Sequence, residues 1–249
     1  MLLSELSQGV LTLTLNRPDK RNALSSALLQ DLSRELERAD LDHEVRVVAV
    51  RGAGKDFCAG ADLEELLASA DQTPEQNEAA ALILGNVFLQ MRQIPKPIVA
   101  VIHGRALAGG AGLATGCDIV LARGSAQIGY PEIQRGFVPA MVMTMLRRAV
   151  GEKLAFDLAA TGRVLSAAQA ATAGLVSRVF SDESFETDVA EVLQGLAQAG
   201  SSAIALTKRQ FYQLDGLDFE AGIRLGARVN ALSRSTPEFR TAISAFLRK

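Results

Sequence analysis

The stretch from Val101 to Asp118, VIHGRALAGGAGLATGCD, constrains this chain more than any other. An apolar run that closes at Ile102 reads as a buried strand. Gly109, Gly110 and Gly112 follow, and they predict a tight bend before Leu113 and Ala114 open a helical turn of small residues. Backbone without side chains approaches a ligand closely. The first amides of a helix lack partners within it and sit at the positive end of its dipole, so such a turn suits an oxygen that gains negative charge. The same pattern also serves plain packing, and by itself it does not separate the two uses.

The rest of the chain supplies alternating strands and helices. Val10 to Leu15, VLTLTL, alternates as a strand does, and Asn16 to Asn22 with Pro18 reads as a turn. Ser25 caps a helix to about Asp40 with Leu29, Leu32, Leu36 and Ala39 on one face, and Val45 to Val50 reads as the next strand. Asp62 to Leu67 opens a short helix. Thr73, Pro74 and Glu75 then launch a longer one through about Gln93, with Leu82, Val87 and Met91 as its apolar contacts. Strands follow at Ile98–Ile102, Cys117–Ala122 and Leu175–Phe180, with a helix between Ser166 and Gly174. From Phe185 the pattern is helical, and Thr236, Pro237 and Glu238 start the last helix. This order predicts an α/β fold.

A chain of 249 residues, 48% apolar and 22% charged, is long enough for one large core or a core with a small appendage. The net charge of −2 argues against a nucleic-acid partner. Cys58 and Cys117 lie far apart in sequence and read as buried thiols in a reducing compartment. The first residues, MLLSELSQG, lack a basic start and a long apolar core, and no run approaches the roughly 20 apolar residues of a membrane span, so a cytoplasmic protein without a membrane partner is expected. GAGK at Gly52–Lys55 fails as a phosphate loop, since Ala49 and Asp56 stand where glycine and Ser or Thr are required. No GxSxG, Cys-His nucleophile pattern or metal-ligand cluster is present, and His43 and His103 are not at metal spacing.

Three stretches in this order, KDFCAGADLEEL at Lys55–Leu66, the Val101–Asp118 segment and IGYPEIQRGFVPA at Ile128–Ala140, resemble the crotonase, or enoyl-CoA hydratase/isomerase, family. NRPDKRNALS and TGRVLSAAQAATAGLV add to the resemblance, which runs from about Val10 to the end. It implies a spiral of strand-strand-helix repeats over residues 1–190 with the acyl-CoA site, and a helical oligomerisation region over 191–249 that builds homotrimers or homohexamers. No separate cofactor is implied, because coenzyme A enters as part of the acyl-CoA thioester substrate.

The resemblance also implies roles. The backbone amides of Ala61 and Gly109 match the pair that holds the thioester oxygen and stabilises an enolate, and Glu132 matches the acid and base. Arg21, Ala23, Ala59, Asp62, Leu63, Gly110, Gly112 and Tyr130 match substrate-contact positions, while Phe246 and Lys249 match positions that touch coenzyme A on another subunit. Lys20 and Arg21 suit either phosphates or a solvated loop. Hydratases of the family commonly place a first glutamate where this chain has Gly112, and dienoyl-CoA isomerases place an aspartate at Ala140. One carboxylate therefore remains, as in family isomerases that move a double bond from carbon 3 to carbon 2. A member that binds acyl-CoA but has lost efficient chemistry is the rival reading. Tyr130 is either a hydrogen-bonding group near the site or a half-buried structural residue, and VPAMVMTML at Val138–Leu146, more apolar than the family pattern, is either an acyl-tunnel wall or a core helix.

Overall fold

The computed structural model describes residues 1–248, so the expected contact of Lys249 lies outside the described residues. The chain opens with a hairpin of β1 (Leu2–Ser7) and β2 (Val10–Leu15), paired antiparallel from Leu2↔Leu15 to Ser7↔Val10. Gln8 and Gly9 both take positive φ, 49° and 81°, as a two-residue hairpin turn demands. β1 was not among the expected strands. It is an edge strand whose residues are exposed apart from half-buried Leu2, so it carries no alternation for a pattern to reveal.

Ser25 caps α1 (Ser26–Leu41) by accepting from the Leu28 amide, and Leu28, Leu29, Leu32, Leu36 and Ala39 are its buried face. β3 (Val47–Gly52) starts two residues after the expected Val45. Asp62 caps α2 (Leu63–Ala68), and Thr73 and Gln76 form a capping box on α3 (Pro74–Gln93). Val87, Phe88 and Met91 of α3 are buried, whereas Leu82, expected among its apolar contacts, is exposed because the first half of α3 projects beyond the core.

β4 (Ile98–Ile102) is wholly buried and leads to β5 (Arg105–Leu107), α4 (Gly109–Gly116), β6 (Ile119–Arg123) and β7 (Gln127–Gly129). β6 begins later than Cys117 because the Cys117 amide still closes α4 onto Ala114 and the Asp118 carboxylate takes the Ile98 amide. After α5 (Ala140–Val150), α6 (Glu152–Thr161), β8 (Val164–Ser166) and α7 (Ala167–Thr172) comes β9 (Arg178–Phe180). Its expected first residues, Leu175 and Val176, instead bond back to the Ala170 carbonyl after Gly174.

Two sheets result, one ordered β1-β2-β3-β4-β6-β9 and one ordered β5-β7-β8. The passes β4–β5–α4 and β6–β7–α5 each place a strand in the large sheet, then one in the small sheet, then a helix. The expected spiral is thus present. The large sheet is parallel from β2 onward and covered on both faces, as parallel sheets must be. Val48 and Val50 pack towards α1 and α3, while Val47 and Ala49 pack against Phe185, Val189 and Leu193 of α8 (Phe185–Gln198). The expected division after residue 190 falls inside α8.

α9 (Ser201–Gln213), α10 (Phe219–Ser235) and α11 (Pro237–Phe246) complete the chain. The buried Lys208 of α9 donates to the Met91 and Lys96 carbonyls at 2.7 and 2.9 Å and to Asp118 Oδ2 at 2.7 Å. Tyr212 donates to Asp118 Oδ1 at 2.6 Å, so one carboxylate fastens α9 to the core.

Candidate active site

β5 and β7 are parallel neighbours in register Leu107↔Gly129, so the segments leaving them emerge side by side at the carboxyl ends of their strands. One begins α4, and the other carries Glu132. Contrary to the expected start at Leu113, α4 begins at Gly109, and the unusual dihedrals fall on Ala108 (φ 51°, ψ −127°) rather than on a glycine. The Ala108 amide donates to the Gly129 carbonyl at 2.8 Å, which holds that strained residue and aims the amide after it.

The glycines are needed for close approach instead. A Cβ at Gly110 would lie 2.4 Å from the Cys58 carbonyl oxygen and 2.8 Å from its sulfur. One at Gly112 would lie 2.4 Å from Val142 Cγ2. Cys58 and Cys117 are buried free thiols, and burial pushes Cys58 up to about 12.

Ala61 faces this turn for a definite reason. It forms a parallel bridge with Leu24 in which the Leu24 amide donates to Gly60 at 2.8 Å and the Asp62 amide donates to Leu24 at 3.1 Å. The Ala61 amide therefore points the other way, toward α4. A Cβ built on Gly109 would stand 3.7 Å from Ala61 N, and one built on Gly60 would stand 3.3 Å from Gly109 N. Neither amide has an acceptor among the described residues. Leu24 and Leu84 flank the same point at 3.6 and 3.8 Å from the Gly109 Cβ position, and neither was singled out in the sequence. Their signal is only that of ordinary core leucines.

Glu132 sits in a 3-10 turn, Pro131–Arg135, at 7% exposure. Its Oε2 is buried with no hydrogen-bond partner. Desolvation raises its pKa above the usual 4.5, partly offset by its own amide and by Arg135. Tyr130 is fully buried rather than half-buried: its hydroxyl meets Thr115 Oγ1 at 2.6 Å, and Thr115 donates to the Ala111 carbonyl at 2.8 Å. That bridge joins the Glu132 turn to α4, and Thr115 is a further residue whose use the sequence did not signal.

The remaining expected contacts are distributed as follows. The Ala59 amide donates to the Arg21 carbonyl at 3.0 Å, and buried Asn22 links Ala53, Asp56 and Arg17, so the Arg21–Ala23 turn is fixed beside the Ala61 loop. Arg21 is exposed, with Asp56 at 3.9 Å, whereas Lys20 pairs with Glu64 and is the less open of the two cations. Asp62 is buried, caps α2 and pairs with Arg17 at 2.8 Å, which holds its carboxyl below the usual range. Leu63 is exposed on the first turn of α2, and Phe246 is exposed at the end of α11. His103 meets the Gly54 carbonyl at 3.0 Å. No group of metal-holding side chains occurs among the described residues.

Of the Val138–Leu146 stretch, Ala140 onward lies in α5, with Val142 and Leu146 as its buried face, while Val138 precedes the helix and Met143 is exposed. The Enoyl-CoA hydratase/isomerase family model matches residues 5–249 of the chain. This chain belongs to the enoyl-CoA hydratase/isomerase family. It is 35% identical over 249 residues to the 2,3-dehydroadipyl-CoA hydratase of Escherichia coli, covering 100% of this chain and 96% of that protein. It is 30% identical over 252 residues to the 1,2-epoxyphenylacetyl-CoA isomerase of the same organism, covering 100% and 95%. A crystal structure of enoyl-CoA hydratase from Mycobacterium smegmatis superposes with a TM-score of 0.95 at 33% identity, covering 99% of this chain and 96% of that one. Family members thus include enzymes named for hydration and for isomerisation, and the acid complement of the site becomes the informative feature.

Proposed function

We propose that this enzyme shifts or hydrates the double bond of an enoyl-CoA through a thioester enolate, and that isomerisation is the better supported reaction. The observation that carries this is Glu132, a buried carboxylate with an unpartnered oxygen, beside a helix whose expected first-glutamate position is Gly112. In this reading the amides of Ala61 and Gly109 hold the thioester oxygen as it gains charge, each donor contributing about 3–4 kcal/mol in the transition state. Glu132 takes a proton from carbon 2 of a 3-enoyl thioester and returns it to carbon 4. Raised basicity from burial suits a group that must both accept and release a proton.

Coenzyme A enters with the substrate, its nucleotide end toward Arg21. Apolar residues exposed on the C-terminal helices support a homotrimer or homohexamer, in which Phe246 meets coenzyme A at a neighbouring subunit. The deciding experiment is an ultraviolet assay with 2-enoyl-CoA and 3-enoyl-CoA series. Gain of the conjugated thioester signal supports isomerisation, its loss reports hydration, and no change with either series refutes the reading.

A further inference from the structure

Two hydrogen bonds tie the turn that carries Glu132 to the helix that begins with the Gly109 amide. At the strand end, the Ala108 amide donates to the Gly129 carbonyl at 2.8 Å. Further out, about 9 Å along α4 from Gly109, Thr115 Oγ1 meets the Tyr130 hydroxyl at 2.6 Å. One bond alone leaves a hinge, whereas two fix the angle of the turn against the helix as well as its distance. The carboxylate has no comparable restraint of its own. Glu132 Oε2 has no hydrogen-bond partner, and the backbone bond that its carboxylate feels comes from its own amide, so its aim follows from where the turn sits.

The proton inventory gives the outer bond a direction. Thr115 spends its one hydroxyl proton on the Ala111 carbonyl at 2.8 Å, so Tyr130 must be the donor to Thr115. The chain of hydrogen bonds therefore runs from Tyr130 into α4, and the tyrosine proton is committed to it. Burial raises the phenol above its usual range, with the nearby Glu132 carboxylate adding to the rise, so the hydroxyl keeps that proton at neutral pH. Tyr130 is also fully buried, and it acts on the site through its neighbours and not by touching a ligand.

We propose that Tyr130 and Thr115 are a positioning pair that sets the distance and angle between the Glu132 carboxylate and the oxyanion amide of Gly109. This rests on the enoyl-CoA reading above for the roles of those two groups. The thioester oxygen and carbon 2 are separated by two bonds of one planar group, so the seat of the oxygen on α4 fixes where the reacting proton lies. Glu132 meets that proton only if its turn keeps its place on the same helix. A displacement of about 1 Å can cost on the order of 100-fold in rate.

Tyr130→Phe removes the donor, and Thr115→Val removes its acceptor at nearly constant volume. Each should lower kcat with 3-enoyl-CoA by about 10- to 100-fold while KM stays within about twofold. The double variant should lose no more than the worse single, because both break one bond, and Thr115→Ser, which keeps the hydroxyl, should restore most of the loss. All should keep the Glu132 limb of the pH profile, since no proton donor to the substrate is removed. A lowered melting temperature with kcat unchanged makes the pair structural only and overturns the proposal. Losses that add in the double variant, or a limb that disappears in Tyr130→Phe, overturn it too. A second readout needs no double bond: exchange of the carbon 2 proton of a saturated acyl-CoA in D2O, followed by NMR. Glu132 takes the proton, its carboxyl trades it with solvent, and a deuteron returns to carbon 2. Exchange should fall in the same variants. Wild-type exchange without enoyl-CoA turnover overturns the enoyl-CoA reading and leaves the exchange rates to decide the pair, whereas absence of both overturns both.

Discussion

The turn that leaves β5 and the helices that follow Gly200 are held in opposite ways. At Gly110 and Gly112, chain segments meet so closely that neither position has room for a methyl group. On α9, α10 and α11, Lys208 and Leu225 are the buried residues, while Phe219 is 86% exposed and Phe246 75% exposed. The second region joins the core through a polar cluster and leaves apolar side chains exposed, which the proposed oligomer would cover, so changes in the two regions should separate chemistry from the proposed assembly.

The largest effect is expected from Glu132→Gln, which keeps shape but removes the base. Turnover of any enoyl-CoA should fall by about 100- to 10,000-fold in steady-state assays with acyl-CoA binding retained. Wild-type turnover in that variant would assign the proton transfer elsewhere. The same residue gives a pH prediction. Its folded pKa lies above the unfolded value near 4.5, so its contribution to stability is fully present below that value and is lost as pH rises through the folded pKa. Melting curves of Glu132→Gln should lack this decline, and parallel pH profiles for the two proteins would contradict the burial effect.

Next in size is Lys208→Met, which strands the Asp118 carboxylate and should cost about 3–5 kcal/mol by chemical denaturation. A loss within about 0.5 kcal/mol would mean that the cluster does not fasten α9. Gly110→Ala should cost about 1–3 kcal/mol, because its methyl meets the Cys58 backbone and not a movable side-chain end. The smallest effect on the folded chain is expected from Phe219→Asp with Phe246→Asp, within about 0.5 kcal/mol for the isolated subunit. Light scattering should nevertheless show a smaller assembly than the wild type. An unchanged mass would remove these faces from the interface.

Elements with strong local signals were readable in advance. Thr73 with Pro74, Ser25 before an apolar face, and Ser166 with Gln169 place helix starts because caps act within one turn. β1 was missed because an exposed edge strand depends on its neighbour for hydrogen bonds and leaves little trace in apolar spacing. The reason for the glycines was also misread. Bending is a local property and was the natural inference, whereas Cys58 and Val142 reach Gly110 and Gly112 only after folding.

By itself the sequence determined the family, the strands β2, β3, β4, β6 and β9 of the large sheet with the helices among them, and the single carboxylate at Glu132, since these depend on residue identity and on spacing within a few turns. Only the tertiary structure decided that the Ala61 amide faces Gly109, that Tyr130 ties α4 to the Glu132 turn, and that Val142 fills the space above Gly112. Each depends on where backbones tens of residues apart come to rest. That placement follows from the packing of whole sheets and helices, which local patterning does not encode.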